Sequence, residues 1–457
     1  MNESVNAYFD TLKEKRVAVL GIGVSNRPLI RVLLARGIRT LACDRTPRES
    51  LDPEVLELEQ LGAKLHVGEG YLDGIEADVV FRTPGMHPDI PALRTLRARG
   101  ASVTSEMEAF FEVCPCRIIA VTGSDGKTTT TTLIAEILKH AGRRVWLGGN
   151  IGTPLLPLAE QMEPDDIAVV ELSSFQLMGM TRSADIAVVT NLAPNHLDVH
   201  KDMAEYIAAK QNVYLHQSSA GKLVVNMDNA ITDNFAATAP GTVEKFSRLA
   251  RPARGVWLNG DTIYRDDRPI MKAADIRIPG VHNIENYMAA ACAVEGLASD
   301  ADIDAVAKTF PGVEHRIEFV RELDGVKYYN DSIASSPSRT IAGLHAFPQQ
   351  VILIAGGYDK HIPFDVLGPE ICAHVKTLVL CGATAAKIRA AVESAPDYAP
   401  GHPAITEAGT LAEAVQMAKS AARPGDIVTF SPACASFDQF KNFAVRGRAF
   451  KDLIAAL

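Results

Sequence analysis

From Val121 to Thr132 the chain reads Val-Thr-Gly-Ser-Asp-Gly-Lys-Thr-Thr-Thr-Thr-Thr, directly after the apolar run Arg117-Ile118-Ile119-Ala120-Val121. A strand that feeds through such a loop into a helix builds α/β structure and makes a phosphate cradle. Gly123 and Gly126 let backbone N–H groups close on phosphate oxygens, the helix N-terminus adds partial positive charge, and Lys127 adds a full one. Thr128 stands where a hydroxyl reaches Mg²⁺. Gly123, Ser124, Asp125, Gly126, Lys127, Thr128 and Thr129 are therefore the expected contacts of a nucleoside triphosphate. The common P-loop spacing would put its first glycine at position 121, which here is Val. A capped structural turn is the alternative reading of the same residues.

With 457 residues, 47% of them hydrophobic, the chain has material for about three cores. A formal net charge of -9 supplies no basic face for nucleic acid or an anionic membrane, so neither is an expected partner. Met1 to Lys15 is polar and mixed in charge, and no later run approaches the roughly 18 apolar residues of a span. A cytoplasmic protein is expected, as a monomer. Seven cysteines, scattered and odd in number, fit reduced thiols, and Cys114 and Cys116 lack a second pair at metal spacing.

Three blocks follow from the pattern. The first has a strand from Arg16 to Leu20, the turn Gly21-Ile22-Gly23-Val24-Ser25-Asn26, a helix to about Gly37 and a strand ending at Asp44, which is a mononucleotide-binding β-α-β unit. Asn26 replaces the third glycine, and a lone G-x-G does not call for a dinucleotide. A further strand, Ala77 to Phe81, runs into the turn Arg82-Thr83-Pro84-Gly85, at the strand end where ligands of such sheets collect. The second block continues the phosphate loop with strands at Arg144 to Leu147, Ile167 to Glu171, Ile186 to Thr190 and Leu223 to Asn226, a mostly parallel sheet covered on both faces. Glu171, ending an apolar strand beside the loop, is the expected Mg²⁺ ligand. His196, in a polar cluster after a strand, is either a functional histidine or a satisfied structural one. The third block, from near Pro311, has strands at Val351 to Ala355, Thr377 to Cys381 and Ile427 to Phe430, again doubly wound. There Gly356-Gly357-Tyr358-Asp359-Lys360 reads as anion capture or as a plain turn.

Taken together, the ordered motifs resemble those of the Mur ligases. They are Thr122-Gly123-Ser124-Asp125-Gly126-Lys127-Thr128, Gly148-Gly149-Asn150-Ile151-Gly152, Glu171-Leu172-Ser173-Ser174-Phe175-Gln176, Asn195-His196-Leu197-Asp198, His282-Asn283, Glu314-His315-Arg316 and Asn330-Asp331-Ser332. The resemblance covers essentially the whole chain. It implies an α/β protein of three domains: an N-terminal Rossmann-like domain over residues 1–112, a central P-loop ATPase-like domain over 113–311 and a C-terminal Rossmann-like domain over 312–457. The ending from Ser431 to Phe443 is similar to that of family members which join D-glutamate to UDP-N-acetylmuramoyl-L-alanine through an acyl phosphate, in peptidoglycan precursor synthesis.

The resemblance also implies roles. Lys127 would meet the ATP phosphates, Thr128 and Glu171 would hold a Mg²⁺ ion beneath them, and His196 would help place a second Mg²⁺ ion or the reacting carboxylate. Lys210 matches the family's carbamylated lysine. An ammonium about 4 Å from Mg²⁺ would cost about 8 kcal/mol at an effective dielectric near 20, whereas a carbamate is attracted; an ordinary surface lysine is the other reading. Lys127, His196 and Lys210 are the expected catalytic groups. Adenine and ribose contacts fall to His282, Asn283, Asn286, Arg316 and Asp331, between the central and third domains. Val24, Ser25, Asn26, Asp44, Arg45, Thr83 and Gly85 would hold the uridine diphosphate, and Asn150, Ser173 and Gln176 its sugar and peptide. Ser335, Lys360, Ser436, Phe437 and Phe443 would hold D-glutamate. Ile333 departs from the pattern, since related ligases commonly carry Lys there. A hinge near Phe310 to Glu314 is expected to close around the substrates. A folylpolyglutamate-type or cyanophycin-type ligase would share the ATP site, and a nucleotide-binding switch would need no second metal position.

Overall fold

The structure, a computed structural model, describes residues 3–194 and 199–457. Its strands form three sheets that follow one another along the chain. The first is wholly parallel, in the order Lys64–Val67, Thr40–Asp44, Val17–Leu20, Val79–Arg82, Ser102–Thr104. Val17–Leu20 is apolar and buried at every residue, as a central parallel strand must be. The strand expected from Ala77 begins two residues later and takes in Arg82.

The second sheet runs Arg268–Lys272, Thr262–Arg265, Gly255–Asn259, Thr242–Ser247, Lys222–Asn226, Ile186–Val189, Arg117–Thr122, Ile167–Glu171, Val145–Gly149. Only the pairings of Gly255–Asn259 with Thr262–Arg265, and of that strand with Arg268–Lys272, are antiparallel. The phosphate-loop strand lies between Ile167–Glu171 and Ile186–Val189, so polar residues after all three strands meet at one sheet edge. Helix Lys127–His140 opens with a run of β-branched threonines, which are poor helix formers. Thr131 and Thr132 donate to the carbonyls of Lys127 and Thr128 one turn back and so stay satisfied within the helix.

Two compact units emerge, Met1–Ala273 with Glu285–Val306, and Ala274–Ile284 with Ala307–Leu457. Within the first unit, one core runs from Val19 and Phe81 through Phe110 to Ala120, Leu156 and Val170, so the first two sheets share it. The second unit contains the third sheet, ordered Glu318–Leu323, Val326–Asn330, Ile427–Phe430, Val351–Ala355, Val375–Cys381, Ala404–Ala408. Five of these strands are parallel, and the antiparallel edge hairpin Glu318–Asn330 corrects the purely doubly wound expectation. Among the described residues no helix is long and apolar enough to cross a membrane.

Candidate active site

Gly126 precedes helix Lys127–His140 with φ +76°, and Gly123 has φ +149°. A Cβ on Gly123 would collide with Thr190 Oγ1, and one on Gly126 with Asn286 Oδ1. Both glycines are required by close approach as well as by backbone conformation. The segment after Ile186–Val189 braces the loop: Thr190 Oγ1 donates to Asp125 O (2.6 Å), Asn191 Oδ1 accepts from Asp125 N (3.0 Å), and Asn191 O accepts from Ser124 N (2.9 Å). Lys127 Nζ donates to Ser124 O at 2.9 Å, within its own loop. Asn286 Oδ1 accepts from Thr130 Oγ1, which puts this expected nucleotide contact directly against the cradle.

Lys210, on helix Met203–Gln211, is only 1% exposed, which removes the surface-lysine reading. Its Nζ donates to Thr122 Oγ1 (3.1 Å) and Gly123 O (2.9 Å) and lies 4.9 Å from the centre of the Tyr206 ring. Burial, and then the like charge of Lys127, hold the Lys210 amine well below its ordinary pKa, against the opposite pull of Glu171 and Asp125. Tyr206 and Thr190 were not picked out as site residues. Tyr206 shares one helix face with Lys210, four residues apart, and its hydroxyl is 3.0 Å from Ser124 Oγ.

Glu171 is 1% exposed at the end of its strand. Its Oε1 accepts from Asn150 Nδ2 at 2.7 Å, while Oε2 is buried with no hydrogen-bond partner among the described residues. Such an oxygen is costly unless something cationic meets it, so the donor set fits a hard dication. Asn150 thereby orients Glu171. Ser173 and Gln176 form a capping box at helix Ser174–Leu177, each accepting from the other's backbone N–H. His196 lies outside the described residues.

The residues expected to hold uridine diphosphate gather at the ends of three adjacent strands of the first sheet. Asp44 accepts from Ile22 N (2.7 Å) and Thr46 N (2.9 Å); burial raises its carboxyl, but these amides hold it below the ordinary range. Gly21 packs against Thr83, and Val24, Arg45 and Gly85 are exposed around them. Ser25 is half-buried just before helix Asn26–Ala35. Asn26 points inward, donating to Leu20 O and Gly21 O, so the residue in place of the third glycine ties the turn from inside. Arg82, buried, donates to carbonyls of Met86, Phe175 and Met178 and so links this strand end to the capping-box helix.

In the second unit, Asp331 is buried and accepts from Ser431 Oγ (2.7 Å) and Ile317 N (3.2 Å); burial pushes its carboxyl up to about 7. Arg316 and His282 are exposed, and Asn283 donates to Pro279 O. Sequence reading missed Arg446, a buried arginine on helix Phe443–Ala455. It donates to Ser332 Oγ and to the carbonyls of Ser332, Cys434 and Ala435, joining the loop of Ser335 to that of Ser436 and Phe437. A charged residue at a core-spaced position, three and four residues from Phe443 and Phe450, was the signal. Ser332 Oγ in turn donates to Phe443 O. Gly356 and Gly357 are not an anion nest: their amides donate to Pro432 O and Thr384 Oγ1, and a Cβ on either would strike neighbouring backbone. Lys360 is exposed beyond them. Ile333 O accepts from the Arg339 guanidinium, so a cation stands beside the position that lacks Lys.

Residues 121–294 match the Mur ligase middle domain, and residues 315–434 match the Mur ligase glutamate ligase domain. The UDP-N-acetylmuramoylalanine--D-glutamate ligase of Acetivibrio thermocellus is 51% identical over 464 residues, covering 100% of both chains. The chain belongs to the Mur ligase family. The ligase of the same name from Clostridium kluyveri is 49% identical over 99% of each chain, and that from Clostridium novyi 50% over 99% of each. Among solved Mur ligase structures, UDP-N-acetylmuramate-alanine ligase from Thermotoga maritima matches with TM-score 0.58 at 16% identity, over 97% of this chain and 100% of that one. UDP-N-acetylmuramoyl-L-alanyl-D-glutamate--2,6-diaminopimelate ligase also gives 0.58, at 18% identity, over 96% and 92%. At these identities the two structures establish the fold.

Proposed function

We propose that this chain is an ATP-dependent ligase that joins D-glutamate to UDP-N-acetylmuramoyl-L-alanine, in peptidoglycan precursor synthesis. The observation that carries the reading is half-identity over full length to ligases named for that reaction, in a chain whose phosphate loop, Glu171 and Lys210 converge. The three-domain division at 1–112, 113–311 and 312–457 belongs to the same proposal.

A carboxylate is a poor acyl donor. Its oxygen attacks the γ-phosphorus of ATP, ADP leaves, and the amine of D-glutamate then attacks the acyl carbon of the resulting acyl phosphate. Phosphate departs and the nitrogen loses a proton. Lys127 turns from Ser124 O to the phosphates, and the loop amides neutralise the charge crowding there. When bound, Mg²⁺ adds charge neutralisation at the phosphate oxygens, with Thr128, Glu171, His196 and Lys210 in its carbamate form as the residues that would hold two ions. Lys210 meets the chemical requirement for carbamylation, because burial and Lys127 favour the neutral amine that attacks CO₂. The carbamate places an anion opposite Lys127, where a charged amine would be repelled. In this reading Asp44, Arg45 and Thr83 face the uridine diphosphate, while Ser335, Lys360, Ser436 and Phe443 face D-glutamate.

The test is phosphate release from Mg²⁺-ATP with UDP-N-acetylmuramoyl-L-alanine and D-glutamate, L-glutamate, L-lysine or meso-diaminopimelate. Release with D-glutamate alone is expected, and release following another amino acid would overturn the assignment. Lys210→Ala is expected to be folded and inactive, with no rescue by bicarbonate; normal turnover in that variant would remove the carbamate from the mechanism.

A further inference from the structure

His345, Glu370 and His374 face one another on the surface of the second unit, and the proposed reaction uses none of them. His345 follows helix Pro337–Leu344 as its C-cap, and Glu370 and His374 stand one turn apart on helix Leu367–His374. His345 Nε2 is 2.6 Å from Glu370 Oε2, and His374 Nε2 is 3.6 Å from the same oxygen. The two imidazole rings lie 4.8 Å apart at 55°. One ligand atom from each of the three residues lies within 4.8 Å of the others, and among the described residues no other group of three His, Cys, Asp or Glu comes this close.

A single ion pair would account for one histidine on this carboxylate. The pair that Glu370 and His374 make one turn apart on their own helix gives no reason for His345 to close on the same oxygen from the end of the other helix. Two imidazole nitrogens and one carboxylate oxygen form a donor set suited to zinc, whereas Mg²⁺ and Ca²⁺ prefer oxygen alone. The side chains are 51%, 32% and 36% exposed, which leaves room for water at a fourth position. We propose that His345, Glu370 and His374 form a surface site for a divalent transition-metal ion of the zinc class. The ion clips the ends of two helices together. One of them supports Asp331: Thr340 Oγ1 donates to Ser431 O, and Gly343 packs so closely that a Cβ there would stand 2.9 Å from Asp331 Oδ2.

The inference is independent of the ligase reading, and its test needs no turnover. The full chain is titrated with Zn²⁺ in excess Mg²⁺, alongside His345→Ala, His374→Ala and Glu370→Gln. The wild type is expected to bind one more equivalent of Zn²⁺ than either histidine variant, and Glu370→Gln to bind more weakly than the wild type. Zinc should raise the melting temperature of the wild type and leave that of the histidine variants unmoved, because only a bound ion stabilises by mass action. The three side chains are partly exposed, so equal melting temperatures without metal show that the variants fold. Co²⁺ gives a second readout, a visible absorption band present in the wild type and lost in His374→Ala. Equal zinc stoichiometry in all four proteins, or a cobalt spectrum unchanged by the substitutions, overturns the site.

Discussion

Gly123→Ala tests whether the phosphate loop is held in a glycine-only geometry. At φ +149° an alanine is strained by about 2 kcal/mol, and its Cβ meets Thr190 Oγ1. Pushing that hydroxyl aside breaks its 2.6 Å bond to Asp125 O, worth about 1 kcal/mol more. The free loop relaxes away from this strain, so ATP binding has to restore it. The sum, about 3 kcal/mol, is about a hundredfold weaker binding. Calorimetric titration with a non-hydrolysable ATP analogue and Mg²⁺ reads it directly. Adding Thr190→Ala removes the collision but also the donor to Asp125 O, so the double variant should bind no more weakly than Gly123→Ala and keep the backbone part of the loss. Gly23→Ala is the control, because a Cβ there meets nothing within 4 Å. If Gly123→Ala binds the analogue within about threefold of wild type, the cradle argument is wrong.

Other outcomes follow from the same geometry. Asp331 holds its proton up to about pH 7 when folded, against an unperturbed pKa of 3.8. The stability from this group is therefore full below about pH 4 and lost as pH rises to 7, on the order of 4 kcal/mol in total. Asp331→Asn should flatten that slope in urea midpoints measured from pH 4 to 8; an unchanged slope would assign it elsewhere. Asn150→Ala frees Glu171 Oε1 and should weaken Mg²⁺-dependent nucleotide binding by about tenfold, read by metal titration at fixed analogue. Arg446→Leu leaves the carbonyls of Ser332, Cys434 and Ala435 without their donor, and about 3 kcal/mol or more of stability should go with it. Arg446→Lys should fold better and still raise KM for the amino acid, since an ammonium cannot span those acceptors.

Several elements were legible before any coordinates. Ile167–Glu171, Val351–Ala355 and Ile427–Phe430 are short, largely apolar runs ended by a polar residue or by glycine, and they appear as strands with those bounds. Buried parallel strands carry their signal in their own residues, because both faces must be apolar. The half-exposed strands between Thr242 and Lys272 have no such signature, and neither does the hairpin Glu318–Asn330. Their pairing depends on neighbours already in place. The site divides in the same way. Lys127, Thr128, Glu171 and Lys210 stand in motifs, whereas Thr190, Tyr206, Arg82 and Arg446 matter through contacts that span 65, 82, 93 and 114 residues of sequence.

The sequence alone determined the α/β class, the family and the identity of the charged groups, because glycine spacing, strand-end carboxylates and motif order are local chemical facts. The tertiary structure decided that Lys210 is buried against the loop, that one oxygen of Glu171 is held by Asn150 while the other lacks a partner among the described residues, and that Asp331 keeps a proton near neutral pH. Those properties come from solvent exclusion and from neighbours brought together across long stretches of chain. No residue's own identity sets its dielectric surroundings; the packing around it does.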